Sequence, residues 1–336
     1  MEVDEDIVIV GAGIAGLTTS LGLHKLGIRS LVLESSDELR TAGYALTLWT
    51  NAWKALDAVG IGDSLRLQHD LLDGDLTVGM CLPLLFRDLK LQTHHLRSKE
   101  IMETTKSVVS KGICFVARWL GFKKPASTGR MSIRGSVDFN YSHGFEPKFR
   151  QFFGNGLRFG FVPCDDNSVY WFFTWTPSSQ EKEREDSPSK MKHFVYRYPW
   201  ELLWRNISKG NVCVTGDALH PMTPDIGQGG CAALEDSVVL ARCLAKALSD
   251  ETSKESKDKD ERELDEYKRI EMGLKKYAKE RKWRNIELIS TAYIVGFIQQ
   301  SNGKIMTFLR DKILTTFLSG LPLKKADFDC GKLRIS

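Results

Sequence analysis

The chain has 336 residues, of which 42% are hydrophobic, 10% aromatic and 27% charged. This is an ordinary globular composition, and it excludes a collagen-like, coiled-coil or mainly disordered architecture. The 47 basic and 43 acidic side chains leave a formal charge of +4, too balanced to predict a nucleic-acid partner, which needs a concentrated basic face. Seven scattered cysteines, odd in number and without a C-x-x-C pair, signal neither a disulfide framework nor a zinc site.

The N-terminus runs Met-Glu-Val-Asp-Glu-Asp into only four apolar residues, unlike a signal peptide, which has basic residues before a longer apolar core. The most apolar late stretch, 286–298, is broken by Glu287, Ser290, Thr291 and Gly296 and is too short to cross a bilayer. A cytoplasmic protein with no transmembrane segment is expected.

Residues 7–10 (Ile-Val-Ile-Val) are a continuous β-branched run, predicting a strand buried on both faces. Gly11-Ala12-Gly13-Ile14-Ala15-Gly16 follows at once, then a helix to Leu26 stopped by Gly27, then a strand at 30–33 ending in Glu34. Strand, glycine turn, helix, strand and acid make a βαβ unit. In such a unit Gly11 permits the tight turn, Gly13 lets the backbone approach a pyrophosphate, and Gly16 lets the helix pack closely. The phosphates sit on backbone N–H groups of residues 11–16, where the helix dipole favours anions. Glu34 is placed to accept hydrogen bonds from a ribose diol. The bland alternative is a tight βα turn with Glu34 merely solvated.

Residues 51–59 predict a helix around Trp53, Leu56 and Val59. Between Asp70 and Gly112 only Asp75–Met80 suggests a strand; Met80–Phe86 is Leu-rich, and His94–Val109 is polar and helix-like. His94 and His95 lack a third ligand, so no metal is expected. Strand character returns over 131–175, at Arg150–Phe153, Leu157–Val162 and Val169–Trp175, as an antiparallel sheet with one buried face. Trp171, Phe173 and Trp175 are expected in the core rather than lining a pocket. Two charged stretches, Ser178–Lys192 and Ser249–Glu266, read as surface loops, and a long helix is predicted from Tyr267 to Gln300.

The most informative stretch runs from Val212 to Asp236. A short strand ends in Gly216-Asp217; a loop follows with His220, Pro221 and Pro224; then Gly227-Gln228-Gly229-Gly230 opens a helix. A carboxylate at a strand end can hold a sugar-alcohol hydroxyl, and a glycine-rich helix start offers N–H donors to an electron-rich ring edge.

This string resembles the second flavin motif of the single-component FAD-dependent aromatic hydroxylases, and residues 11–16 resemble their first. With Trp119-Leu-Gly-Phe-Lys-Lys-Pro125 and Pro199-Trp-Glu-Leu-Leu-Trp204, the likeness is to the plant, salicylate-hydroxylase-like branch. It implies an α/β fold: an incomplete Rossmann-type FAD-binding domain over 1–118 and 205–250, an antiparallel substrate-domain sheet over 119–204, and a helical region over 251–336. It also implies FAD on the pyrophosphate site of Gly11, Gly13 and Gly16, with Glu34 on the adenosine ribose and Arg40 beside the adenosine end. Asp217 would hold the ribityl chain, Pro224 would pass the isoalloxazine, and the N–H groups of 227–230 would face its pyrimidine edge. His220, tempting as a base, is placed by the resemblance as a structural turn.

The implied activity is an NAD(P)H- and O2-dependent hydroxylation of a small compound, aromatic or not. No catalytic side chain is assigned, and the oligomeric state is not readable. Gly112-Ile-Cys-Phe115 stands where the family carries an Asp-Gly motif, and residues 70–111 and the stretch near Phe194–Tyr198 look shortened. A degenerate flavoprotein-like chain without turnover, acting at most as an interaction protein, is therefore the alternative.

Overall fold

The computed structural model describes residues 7–37, 45–68, 79–81, 112–153, 156–177, 192–249, 258–300 and 325–334. Strand β1 (Ile7–Val10), helix α1 (Ile14–Lys25) and strand β2 (Ser30–Leu33) form the expected unit, β1 and β2 pairing in parallel from Ile7↔Ser30 to Val10↔Leu33. Burial on both faces of β1 is not observed. Val8 is 55% and Val10 48% exposed while Ile7 and Ile9 are half-buried, because among the described residues β1 has only β2 as a sheet neighbour and helices cover one face.

Strand β3 (Ala45–Thr47) pairs antiparallel with β4 (Gly79–Cys81). The strand expected at Asp75–Met80 therefore appears only at its end, and residues 75–78 lie outside the described residues, as do 82–111 with the Leu-rich and His94–Val109 stretches. Helix α2 (Thr50–Val59) lies where expected and stops at Gly60, whose φ of +91° suits glycine. A short α3 (Gly62–Arg66) follows, and α4 (Gly112–Trp119) holds the residues that replace the Asp-Gly motif.

The expected antiparallel sheet has five strands: β5 (Ala126–Asp138), β6 (Arg150–Phe153), β7 (Leu157–Pro163), β8 (Ser168–Trp175) and β9 (Lys192–Tyr196). Their order is β6-β7-β8-β5-β9. Lys192, read as the end of a charged loop, opens β9; residues 178–191 of that loop lie outside the described residues. Trp171, Phe173 and Trp175 are half-buried rather than core. The register sets them across from Phe161, Phe159 and Leu157, on the face opposite Arg158.

After the one-turn α5 (Glu201–Trp204) and a hairpin of β10 (Ser208–Lys209) with β11 (Val212–Cys213) come the two long helices, α6 (Gly229–Ser249) and α7 (Lys259–Gln300). Helix α7 starts eight residues before the expected Tyr267. The segment 259–266 is charged but built of helix formers, and Asp260 and Glu261 in its first turn complement the dipole. Residues 250–257 of the expected second loop lie outside the described residues.

Helix α6 is the centre of the core, with α1, α2 and α7 against it. Two adjacent carboxylates on it, Glu235 and Asp236, are fully buried. Arg281 of α7 answers both, its Nε 2.5 Å from Asp236 Oδ1 and an Nη 2.7 Å from Glu235 Oε2. Arg284 adds a second bond to Glu235 at 2.8 Å, and Asn51 of α2 donates to the same carboxylate at 2.5 Å. Removing one partner of a buried ion pair strands the other in low dielectric and costs about 3–5 kcal/mol. Arg281→Ala, which strands two carboxylates, is expected to lower unfolding free energy by at least that much in urea titrations. Unchanged stability would show that the network is solvated.

Candidate cofactor site

The turn between β1 and α1 is held by the N–H of Gly11 donating to Leu33 O at 2.7 Å. Gly11 has φ +105°, a conformation that side chains disfavour. A Cβ on Gly16 would fall well inside contact distance of Gly11 O, and 3.3 Å from Ile9 Cγ2, so glycine there lets helix and turn touch. Gly13 differs. It is the N-cap of α1, it has no side-chain cap, the first turn holds no acid, and a Cβ on it would meet nothing within 4 Å. An uncapped helix start over open space suits an anionic group.

Glu34 closes this turn from the side. Its Oε2 accepts the N–H of Ala12 at 2.8 Å, and its Oε1 accepts the N–H groups of Ser35 and Ser36 and the Ser35 hydroxyl. Partial burial pushes its carboxyl up, but these hydrogen bonds outweigh burial and hold it below the ordinary glutamate value. Glu34 is thus an ionised acceptor fixed beside the glycine turn, not merely solvated.

The second glycine-rich stretch meets the first directly. Gly216, at φ +58°, comes so close to α1 that a Cβ would sit 2.9 Å from Ala15 Cβ. The Ser237 hydroxyl donates to Ala15 O at 2.9 Å. Gly216 N–H donates to Asp236 Oδ2 at 3.0 Å, and His220 Nε2 lies 2.8 Å from the same oxygen. His220 is fully buried on that contact. Asp217, next to the Gly216–Ala15 contact, is exposed and has no hydrogen-bond or ion-pair partner among the described residues.

Pro224 is exposed at the head of a turn that ends at Gly227, φ +63°. Asp225, absent from the sequence reading, is the anchor of this loop. Its buried carboxylate takes two bonds from Arg130 of β5, at 3.0 and 2.7 Å, and one from Arg158 of β7 at 2.8 Å. Burial pushes its carboxyl up, and the two guanidinium groups overcome this and hold it below the ordinary range. No periodicity announced the triad; its only signal is arginine on the inward face of two half-buried strands. Gln228 is buried and accepts from Asn51 Nδ2 at 2.9 Å. Gly230 packs on Leu46, whose Cδ1 would lie 2.5 Å from a Cβ, while a Cβ on Gly229 would touch only Met222, at 3.7 Å. Arg40 lies outside the described residues.

The structure thus brings residues 11–16, Glu34 and Gly216-Asp217 together, with the Pro224–Gly230 loop at the start of α6. Comparison with known proteins assigns the frame. A sequence profile of the FAD binding domain family matches residues 4–103 and 175–269. Monooxygenase 2 of Arabidopsis thaliana is 46% identical over 400 residues, covering 98% of each chain. The chain belongs to the FAD-dependent monooxygenases. Monooxygenase 1 of Arabidopsis thaliana is 27% identical over 398 residues, covering 97% of this chain and 99% of that one.

Among solved structures, Klebsiella pneumoniae HpxO complexed with FAD and uric acid superposes with TM-score 0.64 at 20% identity, covering 97% of each chain. A salicylate hydroxylase substrate complex gives 0.58 at 14% identity, covering 98% of each. The family match runs through residue 103, past the point where the likeness is hard to read in the sequence. The 400 aligned positions of Monooxygenase 2 exceed the 336 residues here, so that relative holds positions without a counterpart in this monooxygenase.

The depressed carboxyls give a pH expectation. Asp236 is also held below the ordinary range: burial alone would raise it, but Arg281, His220 and the Gly216 N–H prevail. Groups whose native pKa is depressed stabilise the fold above their unfolded value, about 4, and lose that contribution as pH falls through the native value. The urea midpoint should drop steeply below about pH 4. The drop should be shallower in Asp225→Asn, and an unchanged slope there would mean that Asp225 is not ionised in the fold.

Proposed function

We propose that this monooxygenase binds FAD across its two glycine-rich helix starts and, with NADH or NADPH, hydroxylates a small aromatic compound. The observation that carries the reading is the contact of Gly216 with Ala15 beside the open space at Gly13. Two loops 200 residues apart in sequence thereby meet at the start of α1. The residues present fit the cofactor. Within residues 11–16, the N–H groups of Gly13, Ile14, Ala15 and Gly16 at the uncapped end of α1 would meet its pyrophosphate, while those of Gly11 and Ala12 are held by Leu33 O and Glu34 and shape the turn. Glu34 accepts from the adenosine ribose, with Arg40 at the adenosine end. Asp217, without a partner among the described residues, would accept from the ribityl hydroxyls. Pro224 lies along the ring, and the backbone of Gly227, Gln228, Gly229 and Gly230 meets its pyrimidine edge.

Bound FAD supplies hydride acceptance from the reduced nicotinamide and the activation of oxygen. The protein's part is orientation. Asp225, clamped by Arg130 and Arg158, fixes the loop between the cofactor domain and the sheet, so the ring plane is set by buried charge pairs. The uric acid of the HpxO complex and the likeness to a salicylate hydroxylase substrate complex support an aromatic substrate, and the free thiols of Cys213, Cys231, Cys243 and Cys330 support a reducing cytoplasm.

The test separates cofactor space from folding space. Gly13→Val puts a Cβ where no atom of the described residues lies within 4 Å, so the apoprotein should keep most of its stability. FAD affinity should fall about a hundredfold or more, the loss of one or two charge-assisted hydrogen bonds. Gly16→Val, which collides with Gly11 O, should lose both. Full flavin content in Gly13→Val overturns the reading.

A second reading shares the cofactor but not the turnover. The exposed face of β1 and the positions missing relative to Monooxygenase 2 support a less enclosed cofactor, from which reduced oxygen escapes before meeting substrate. Hydrogen peroxide should then account for most of the NAD(P)H consumed in the presence of salicylate or urate. One-to-one hydroxylated product would exclude this reading.

A further inference from the structure

We propose that the face formed by residues 200–205 and the outer side of α7 docks on an anionic lipid bilayer surface. The proposal is independent of the cofactor and of the reaction.

The first observation is exposed aromatic area. In α5 the residues Glu201 and Leu202 are buried while Leu203 and Trp204 point out, Trp204 being 80% exposed, and Trp200 precedes them at 54%. On α7 the outward positions include Trp283, 66% exposed, and Phe297, 52% exposed. Isolated exposed hydrophobics are common, but a contiguous group marks an interaction site.

The group is contiguous. Lys282 Nζ donates to Leu203 O at 3.0 Å, fixing α7 beside α5. A ladder of rings then links the two elements. Trp200 stacks on Tyr198 at 4.4 Å, Tyr198 meets Tyr196 at 5.0 Å, Tyr196 stacks on Tyr293 at 4.8 Å, and Tyr293 is followed by Phe297 at 6.5 Å. Residues 282, 286, 293 and 297 share one side of α7 at helical spacing, and 283 and 294 lie on the adjoining outer stripe.

The second observation is charge. From 288 to 300 α7 has no charged residue, whereas the preceding turns of its outer side carry the exposed Lys276 and Lys279 and the half-buried Lys282. The acids of this stretch of helix are each answered within the protein: Glu271 by Lys275, Glu280 by Arg242, and Glu287 by Lys325 and Arg284. The surface is therefore basic at one end and aromatic at the other. Tryptophan and tyrosine settle at the level of lipid headgroups, where a ring is half wet and half apolar. Lysine and arginine stems reach from that level to anionic phosphates. No described helix is long and apolar enough to cross a membrane, so the contact is with the surface alone.

The experiment is co-sedimentation of the full chain with vesicles of phosphatidylcholine and phosphatidylserine, against phosphatidylcholine alone, at low and high salt. Binding is expected to the anionic vesicles, weakened by salt, and about tenfold weaker in the double variant Trp204→Ala/Trp283→Ala, the loss of buried aromatic area. Both residues are exposed, so the variant should keep the melting temperature and flavin content of the parent. Absence of binding to anionic vesicles overturns the proposal, as does equal binding by the double variant. Light scattering that shows a dimer abolished by the same substitutions overturns it in favour of a second copy of the chain.

Discussion

The fold depends on neutralising two carboxylates that sit side by side on the central helix. Glu235 and Asp236 are the last residues of the second glycine-rich stretch, and burying them unpaired would be prohibitive. Arg281 and Arg284 meet them from α7 and Asn51 meets Glu235 from α2. Asp236 also takes the N–H of Gly216 and lies against His220. One carboxylate therefore fixes the Gly216 turn and the helix that follows it. Since Gly216 is the residue in contact with Ala15, the buried charge cluster also sets where the second loop meets the α1 start.

Close approach is the second constraint, and glycine spends it in two different ways. At Gly16 the missing side chain is filled by Gly11 O, and at Gly22 a Cβ would lie 3.1 Å from Ala241 Cβ on α6; these positions serve packing. At Gly13 the missing side chain leaves room that the protein itself does not use. Glycine is accepted at an N-cap, so this position costs the helix little and serves no packing contact among the described residues.

The βαβ unit was legible because each part of it is local: a β-branched run, a turn that only glycine permits, and an acid at the next strand's end. The sheet strands at 150–153, 157–163 and 168–175 were legible by alternation. What failed was whatever depends on neighbours distant in sequence. Ile7–Val10 has the composition of a strand buried on both faces, but Val8 and Val10 are exposed, because composition describes the strand and not the sheet around it. Trp171, Phe173 and Trp175 have the size of core residues and lie half-buried on the outer face. Asp225 went unread, because the arginines that bury it come from strands 67 and 95 residues away. The early start of α7 was missed because a run of mixed charge reads equally as solvated loop and as solvated helix; only the acidic first turn distinguishes them.

Helix α7 joins these themes, because its sides face different tasks. Its inner side carries Arg281 and Arg284 into the carboxylate pair. Further along, Gly296 passes so close to Asp225 that a Cβ there would collide with Oδ2 and with Arg130. The next residue, Phe297, faces outward on the aromatic surface. A contact that tight transmits small displacements, since a packed interior has little compressibility. A helix seated on a lipid surface by Trp283 and Phe297 is also the helix that backs the loop leading from Pro224 to Gly230. One helix therefore carries the buried charge network and the tight Gly296 contact on its inner side and exposed aromatic side chains on its outer side.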